Sequence, residues 1–212
     1  MSTQSHFKPD SIFLRQWKSW DELWSVAKEH LGHRAASWQI VFDHLGSIKS
    51  PHIVETGGWR NYGEDLPIVF NDGASTWLFD RFLDIHGSGS GVAVELAEHI
   101  VNAINGECRV MTGEQGDSRE RLAKMRGHAD LLYLDSFDVI WEEDTLSAEH
   151  HLQELLAARH LVDSETLIVV DDTPKNAEGK LIGKGRLVAE FMQAIGNPVI
   201  YDQGYQVIYR GF

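Results

Sequence analysis

The stretch Pro198-Val-Ile-Tyr-Asp-Gln-Gly-Tyr-Gln-Val-Ile-Tyr209 places two β-rich runs on either side of a short turn at Gln203 and Gly204. The chain between the two runs is too short to form a crossover helix, which a parallel pair of strands would need. We therefore expect the last two strands to form an antiparallel hairpin. This ending narrows the set of α/β folds that the rest of the chain can adopt.

Upstream of the hairpin, β-rich runs alternate with helical patterns from about residue 51 onward. The predicted strands are His52–Glu55, Val92–Leu96, Arg109–Thr112, Leu131–Asp135, Leu167–Asp171 and Pro198–Tyr201. The predicted helices are Ser75–Ile85, Glu98–Ile104, Ser118–Met125, Ala148–His160 and Arg186–Ile195. Such alternation predicts parallel strands joined by right-handed crossovers. The expected fold is α/β, a doubly wound and mostly parallel seven-stranded sheet with an antiparallel C-terminal hairpin.

Residues 1–50 differ from the rest and are predicted to be helical. They hold four of the seven tryptophans, and Trp17, Trp20, Trp24 and Leu31 approximate one helical face. We expect this face to dock on the rest of the chain or on a second subunit, which makes a homodimer one expectation. The alternative is a lid over a substrate pocket. The predicted organisation is an N-terminal helical extension at 1–50 and an α/β domain at 51–212.

Composition excludes several classes of protein. The formal net charge of −13 argues against binding to a nucleic-acid backbone, which requires a basic surface. No apolar stretch of the sequence is long enough to span a bilayer. The single cysteine, Cys108, rules out an intramolecular disulfide and suits a reducing compartment. We therefore expect a cytoplasmic protein with no nucleic-acid and no membrane partner.

Two glycine-rich segments resemble nucleotide-binding loops but fail on position. The run Gly87-Ser-Gly-Ser-Gly91 precedes a predicted strand, whereas a dinucleotide-binding loop follows a strand and opens a helix. The run Gly179-Lys-Leu-Ile-Gly-Lys-Gly185 lacks the spacing and the Ser/Thr of a phosphate loop. Neither segment predicts nucleotide hydrolysis or nicotinamide binding.

Strand ends carry the residues that point to a cofactor, because ligands of open α/β sheets bind at the carboxyl ends of strands. The first predicted strand leads into Glu55-Thr-Gly57, and the second contains Glu95 near its end. A carboxylate in the position of Glu95 can accept hydrogen bonds from both hydroxyls of a ribose. The turn Gly116-Asp-Ser118 follows the third strand, where an adenine would be met. The alternative for Glu95 is a helix N-cap or a surface group.

In order, the segments Val54–Gly57, Asp72–Thr76, Val94-Glu95, Gly116–Ser118 and Asp130–Asp135 resemble the motif series of class I methyltransferases that use S-adenosylmethionine (SAM). The resemblance covers roughly residues 51–210 and implies a Rossmann-like fold with SAM as cofactor. It departs from the family at an insertion, residues 58–72, inside the first glycine motif. The cofactor-binding residues that it implies are Glu55, Thr56, Gly57, Arg60, Gly73, Ser75, Glu95, Asp117, Ser118 and Asp135. A solvated loop position is the alternative for Arg60.

Within that family, Leu167-Ile-Val-Val-Asp-Asp172 beside Asp135 resembles the metal-dependent O-methyltransferases, the macrolide-sugar type more than the catechol type. In the implied fold, Asp135, Asp171 and Asp172 would crowd one small site, where unpaired carboxylates repel each other. A hard divalent cation resolves this repulsion, so the expected metal is Mg²⁺, or Mn²⁺ or Ca²⁺. The alternative is that Asp135 and Asp172 cap the elements that follow, with no metal.

The implied reaction needs a base to deprotonate the acceptor hydroxyl. Catechol-type relatives have a lysine three residues after the first metal aspartate, and this sequence has Asp138 there. The predicted catalytic residues are Asp135, Asp138 and His151. For His150 and His151 the alternative is an ordinary surface pair, and Lys184 is a candidate contact for an anionic substrate group.

The sequence thus predicts a SAM-dependent, divalent-metal-dependent O-methyltransferase that acts on a hydroxyl of a small molecule or sugar. Two alternatives stay open at this point. One is an enzyme with the same fold and different chemistry, since some relatives with similar acidic sites are known as hydroxylases. The other is a non-catalytic interaction protein that docks through its tryptophan-rich N-terminal segment.

Overall fold

A computed structural model describes residues 16–60 and 74–212. The helices are α1 (Trp20–His30), α2 (Ala35–Gly46), α3 (Ser75–His86), α4 (Glu98–Glu107), α5 (Ser118–Lys124), α6 (Thr145–Ala158) and α7 (Arg186–Ala194), with 3₁₀ turns at Gly32–Arg34 and Arg159–Leu161. The strands are β1 (His52–Thr56), β2 (Ser90–Glu95), β3 (Met111–Gln115), β4 (Leu131–Leu134), β5 (Leu167–Val170), β6 (Val199–Tyr201) and β7 (Val207–Arg210).

The seven strands form one sheet in the order β3-β2-β1-β4-β5-β7-β6. The first five strands run parallel to their neighbours, and β7 pairs antiparallel with both β5 and β6. The predicted doubly wound sheet with an antiparallel C-terminal hairpin is therefore confirmed. The strand order reverses direction at β1, so that β1 and β4 lie side by side at the switch point where such sheets bind ligands.

Both faces of the sheet are covered, as expected where parallel strands are buried. Neighbouring residues point to opposite faces, so Ile53 packs under α1 to α4 while Val54 packs under α5 to α7. Trp20, Trp24 and Phe42 form an aromatic cluster on the first of these faces, with Trp20 and Phe42 centroids 4.3 Å apart. The tryptophan face of the N-terminal segment thus packs on its own chain. The domain division at residue 50 stays a prediction.

The third strand begins two residues later than the sequence predicted. One oxygen of the buried Asp80 carboxylate accepts the backbone N–H groups of Arg109, Val110 and Met111 at 2.7 to 2.9 Å. Because these groups are bonded to a side chain of α3, regular pairing with β2 starts at Met111. Hydrophobic pattern alone does not reveal such a contact.

Among residues 16–60 and 74–212, no helix combines the length and the apolar character that crossing a bilayer requires.

Replacing Phe42 by Ala tests whether the N-terminal helices are part of the folding unit. Phe42 is 2% exposed and contacts rings of α1 and α3, so its removal is expected to lower the free energy of unfolding by about 3–5 kcal/mol. Urea denaturation measures this change. The control, Leu156→Ala on the exposed side of α6, is expected to change it by less than about 1 kcal/mol. A weak effect of Phe42→Ala would instead indicate a dissociable N-terminal segment.

Candidate functional site

The carboxyl ends of β1, β4 and β5 meet at one edge of the sheet because these strands are parallel and in register. Asp135 continues β4, and its backbone N–H donates to the Thr56 carbonyl at 3.0 Å. Asp171 continues β5, and its backbone N–H donates to the Leu134 carbonyl at 3.1 Å. The structure therefore brings together the three predicted acidic residues, Asp135, Asp171 and Asp172.

Two positively charged side chains lie among these aspartates. Lys184 is fully buried, and its Nζ donates to Asp135 Oδ1 and, at 3.1 Å, to Asp172 Oδ2. Arg34 reaches the site from the 3₁₀ turn of the N-terminal segment. Its Nε donates to Asp171 Oδ1 at 3.1 Å and its Nη2 to Asp172 Oδ1 at 2.9 Å. Each of the three carboxylates has at least one cationic partner from the protein.

This pairing does not support the predicted metal centre at Asp135, Asp171 and Asp172. The prediction assumed that the carboxylates would repel each other unless a metal ion lay between them. Lys184 and Arg34 counter that repulsion, because they contact Asp135 Oδ1, Asp171 Oδ1 and both carboxylate oxygens of Asp172. Among the residues that the structure describes, no three Asp, Glu, His or Cys side chains are arranged to hold one ion. With these oxygens paired to protein cations, the described residues do not support Mg²⁺, Mn²⁺ or Ca²⁺ at this place.

Asp171 is held in its charged form by buried donors. The Tyr133 hydroxyl donates to Asp171 Oδ2 at 2.6 Å, and Gln206 Nε2 donates to the same oxygen at 3.2 Å. Burial alone would raise the pKa of Asp171, but Arg34 and Tyr133 outweigh burial and lower it. Asp171 therefore remains a carboxylate at neutral pH and is unsuited to exchange a proton there.

Asp135 has a different proton affinity. Burial raises the pKa of Asp135 to about 7, with a further rise from Asp171 and Asp172, although Lys184 opposes the change. The side chain is 17% exposed and lines a cavity above the sheet edge. A carboxyl group that titrates near neutral pH and faces a cavity is suited to general-base chemistry.

That cavity has a volume of about 550 Å³ and lies over the aspartates. Aromatic rings form part of its wall, with the centroids of Trp141 and Tyr205 6.1 Å apart and those of His33 and Tyr205 4.6 Å apart. The Arg34 guanidinium lies 5.1 Å from the Tyr205 ring centroid, within cation–π range. The lining therefore combines charged groups at the base with aromatic sides, and its size suits a small organic molecule.

Arg60 and Asp138 form an ion pair that also lines this cavity. Asp138 was predicted as a catalytic residue, and its side chain is 76% exposed. Arg60 was predicted to meet the cofactor, and the structure gives it the Asp138 carboxylate as a partner. Ser75, another predicted cofactor residue, begins α3 and lines the same cavity. These roles stay predictions, and Gly73 lies outside the described residues.

A second, smaller cleft lies at the ends of β2 and β3. It is lined by predicted cofactor residues Glu95, Asp117 and Ser118, with Leu96, Phe137 and His150 beside them. Its volume is only about 40 Å³. This volume is smaller than an adenine, and Leu96 and Phe137 of the lining are exposed side chains.

The glycine turn after β1 lies next to Asp135 and Glu95, which line the larger and the smaller cavity respectively. Gly57 has φ +83°, and a Cβ there would lie 2.5 Å from the Asp135 carbonyl oxygen, so the position requires glycine. The next backbone N–H, that of Gly58, donates to Glu95 Oε2 at 3.0 Å. Glu95 is thus fixed at the end of β2, next to a backbone close enough to contact a ligand. Glu95 Oε1 accepts the Ala97 N–H at 2.9 Å, so the alternative role as a cap is also present.

Glu55 and Thr56, both predicted to touch the cofactor, turn their side chains into the protein. Glu55 Oε2 accepts from the Thr76 hydroxyl at 2.7 Å, and burial raises the pKa of Glu55 to about 8. The Thr56 hydroxyl donates to Glu154 Oε2 at 3.1 Å. Neither side chain lines the two cavities described above. Any contact from these residues to a cofactor would come from the backbone.

The prediction of His151 as a catalytic base needs correction. His151 lies within α6 and not at its start, and its ring is fully buried with Nδ1 2.7 Å from the Ser147 carbonyl. Burial lowers its pKa to about 4. The neighbouring His150 lines the smaller cleft, where Nε2 lies 3.2 Å from Ser118 Oγ and 3.2 Å from Glu154 Oε1. The two histidines, although adjacent in sequence on α6, therefore have different environments.

Several side chains of the site escaped sequence reasoning. Arg34 and Tyr133 contact the aspartates, and Glu154 is a fully buried carboxylate that accepts from Thr56 and from Ser136 at 2.6 Å. Arg34 gave no signal because its partners lie 137 and 138 residues away in sequence. Glu154 gave a weak one, since it follows His150 by four residues on a helix and can pair with it.

Comparisons with solved structures agree with this architecture. One is a protein described as an rRNA methylase from Clostridium thermocellum, at 13% identity and TM-score 0.52, covering 83% of this chain and 97% of that one. Another is a protein described as an RNA methyltransferase from Pyrococcus horikoshii, at 14% identity and TM-score 0.50, covering 99% of this chain and 92% of that one. A third is NSun6 from Pyrococcus horikoshii with SFG, at 13% identity and TM-score 0.51, covering 79% and 50%.

The chain has a class I methyltransferase fold. Identities of 13–14% carry the likeness no further than the fold, which hosts many reactions. No protein-family model matches the sequence, and no curated protein matches it either. Within this fold, the turn at Gly57 lies at the switch point of strand order between β1 and β4. The smaller cleft lies on the β2 side of this turn, and the 550 Å³ cavity lies over the ends of β4 and β5.

Replacing Glu55 by Gln tests whether this buried carboxyl group is protonated in the folded protein. Because its pKa rises from 4.5 to about 8, the folded chain holds a proton that the unfolded chain releases between these values. Its contribution to stability is complete below pH 4.5 and is lost as pH rises through 8, with a slope of up to about 1.4 kcal/mol per pH unit. Glu55→Gln is expected to flatten the fall in stability between pH 6.5 and 8.

Urea denaturation at several pH values measures this difference. The exposed Glu114→Gln serves as the control and is expected to keep the slope of the wild-type protein. An unchanged slope in Glu55→Gln would show that the group is ionised in the folded protein.

Proposed function

We propose that this protein transfers a methyl group from SAM to a hydroxyl of a small molecule bound in the 550 Å³ cavity. The observation that carries the proposal is the position of Asp135 between the two openings. Its carbonyl contacts the Gly57 turn, next to the cleft of Glu95, and its side chain faces the cavity. Asp135 thus lies between the proposed cofactor site and the proposed acceptor site.

The residues that line the smaller cleft fit SAM. Glu95 can accept from ribose hydroxyls, and Asp117, Ser118 and His150 offer polar contacts for an adenine. Arg119 holds the pKa of Asp117 down at about 2, so that its carboxylate is charged. When bound, SAM supplies an electrophilic methyl group that moves in line to the acceptor oxygen, and the sulfur keeps the bonding electron pair.

Asp135 is the proposed general base. It accepts the hydroxyl proton of the acceptor as the oxygen attacks, and a pKa near 7 allows it to be ionised at the start of each cycle. Lys184 holds one carboxylate oxygen in place, because its Nζ donates to Oδ1. Asp138 lines the cavity further out and is paired with Arg60, which suits substrate orientation.

The proposed acceptor is a small molecule or sugar and not a nucleic acid. Glu142 and Glu143 are exposed on the loop that carries Trp141, and the chain has a formal net charge of −13. These charges repel a phosphate backbone. Because solved neighbours include proteins described as RNA methylases, RNA is a necessary arm of the test. The homodimer and the cytoplasmic setting also stay predictions.

Calorimetric titration with SAM tests the cofactor site. The wild-type protein is expected to bind SAM, and Glu95→Gln to bind it about tenfold or more weakly, since hydrogen bonds to a charged group contribute about 1.5–3 kcal/mol. Glu114→Gln, on the exposed edge of β3, is the matched control and is expected to bind as the wild type does. Absence of SAM binding by the wild-type protein would overturn the proposed function.

Release of S-adenosylhomocysteine from a panel of small hydroxyl acceptors, and from RNA, tests the base and the acceptor class. Asp135→Asn is expected to retain SAM binding and to lose about 10²–10⁴-fold in turnover. Asp43→Asn, an exposed position on α2, is the control with unchanged turnover. Methylation of RNA with none of any small acceptor would overturn the acceptor assignment and leave the cofactor assignment standing.

A further inference from the structure

Lys184 lies in a position where a lysine is rarely found. Its side chain is fully buried, and its ammonium group contacts Asp135 Oδ1, the Asp135 carbonyl at 3.4 Å and Asp172 Oδ2 at 3.1 Å. Lysine is almost never fully buried without a partner, because removing its charge from water is unfavourable. Here two carboxylates balance the charge and raise the pKa of Lys184 above its usual value despite burial. The residue is therefore a permanent cation inside the site.

The backbone on both sides of Lys184 is shaped to insert it. Gly183 has φ +77°, and a Cβ there would lie 2.2 Å from the Asp172 carbonyl oxygen. A Cβ on Gly185 would lie 2.6 Å from the Thr173 hydroxyl oxygen. The Gly183 N–H is also anchored, since it donates to Asp144 Oδ2 at 2.7 Å. The close packing of Gly183 and Gly185 thus places the Lys184 side chain in contact with Asp135 and Asp172.

Asp172 takes part in the same arrangement. It has φ 44°, in the left-handed region that non-glycine residues seldom occupy. Its carbonyl accepts the Lys184 N–H at 3.1 Å, and its carboxylate bridges Lys184 and Arg34. With this backbone conformation, the Asp172 carboxylate contacts both cations, Lys184 and Arg34. Such a strained position persists only where the surrounding contacts enforce it.

The charges of the cluster have a simple balance. Asp135, Asp171 and Asp172 contribute three negative charges when ionised, and Lys184 with Arg34 contributes two positive charges. Two positive charges are also what one divalent metal ion would contribute to the same three carboxylates. The difference is that the protein's cations are covalently attached and arrive from two sides, through the N-terminal segment and through the loop before α7.

We propose that Lys184 and Arg34 together take the place of a divalent metal ion, so that this site holds and uses its three carboxylates without a metal. The consequence for the acceptor rests on the proposed function. With no metal to acidify it, the acceptor hydroxyl must lose its proton to Asp135 alone. That requirement favours a phenol-like hydroxyl, with a pKa of about 10 as in tyrosine, over the much less acidic hydroxyl of a sugar.

Titration of the protein with Mn²⁺, followed by electron paramagnetic resonance, tests whether Lys184 and Arg34 take the place of a metal ion. It needs no assay of activity. The wild-type protein is expected to show no saturable Mn²⁺ binding and no change in melting temperature with added Mn²⁺. Lys184→Ala removes one cation and is expected to bind Mn²⁺ at least about tenfold more tightly. Added Mn²⁺ should also raise the melting temperature of this variant.

Two further variants isolate the cause. Lys175→Ala removes a lysine whose ion pair with Asp202 lies in another part of the loop, and it is expected to behave as the wild type does. Lys184→Ala combined with Asp172→Asn is expected to lose the gained Mn²⁺ affinity. If Lys184→Ala fails to fold, the wild-type titration decides. Stoichiometric Mn²⁺ binding by the wild-type protein that disappears in Asp171→Asn would overturn the proposal.

The acceptor consequence has its own arm in the turnover assay. Turnover of phenolic acceptors is expected to persist in excess EDTA and to exceed turnover of sugar hydroxyls. Loss of turnover in EDTA with recovery on adding Mg²⁺ would overturn the proposal while supporting methyl transfer. Absence of SAM binding would overturn the proposed function and leave the Mn²⁺ result to judge the cation substitution alone.

Discussion

The ion cluster of three aspartates with Lys184 and Arg34 is the interaction on which the site depends. Parallel strands bring their carboxyl ends to one edge of the sheet, so β4 and β5 necessarily place Asp135, Asp171 and Asp172 side by side. Carboxylates that lie side by side in a buried site need nearby positive charge if they are to stay ionised. The chain supplies it from the N-terminal segment and from the loop before α7. Both segments are thereby tied to the ends of the central strands.

The same cluster explains why the N-terminal helices belong to the site as well as to the core. The aromatic rings of α1 and α2 pack against α3, and this packing fixes the 3₁₀ turn that carries Arg34. Arg34 in turn lies against Tyr205, which precedes β7. The cavity wall is therefore built from both ends of the chain, and its shape follows from tertiary packing. A lid that moves freely would have to break this ion pairing.

Sequence reasoning succeeded where the controlling information is local. Alternating hydrophobic runs indicated the strands, and the short turn at Gln203-Gly204 indicated the antiparallel hairpin. Strand ends indicated Asp135, Asp171 and Asp172 as neighbours. It failed where a distant partner decides the outcome. Arg34 lies 137 and 138 residues away from its partners Asp171 and Asp172, and Lys184, although it follows Asp172 in the next loop, was interpreted as a substrate contact; the carboxylates therefore looked unpaired and a metal was expected. The predicted base His151 was misplaced because it lies on the buried face of α6, with Nδ1 2.7 Å from the Ser147 carbonyl.

Buried carboxyl groups at this sheet edge differ in their partners, and the differences determine where a proton can move. Glu55 has hydroxyl partners, and burial raises its pKa to about 8, so it stays protonated at neutral pH. Glu154 accepts from hydroxyls and lies near two histidines, and its pKa is lowered despite burial. The pKa of Asp171 is also lowered despite burial, in this case chiefly by the charge of Arg34. Asp135 lies between these extremes, with a pKa near 7, and it alone of the four lines the cavity with a carboxyl group that can both lose and accept a proton at neutral pH. A neutral neighbour on one side and fixed ion pairs on the other thus leave Asp135, which lines the cavity, as the group among these four suited to proton exchange.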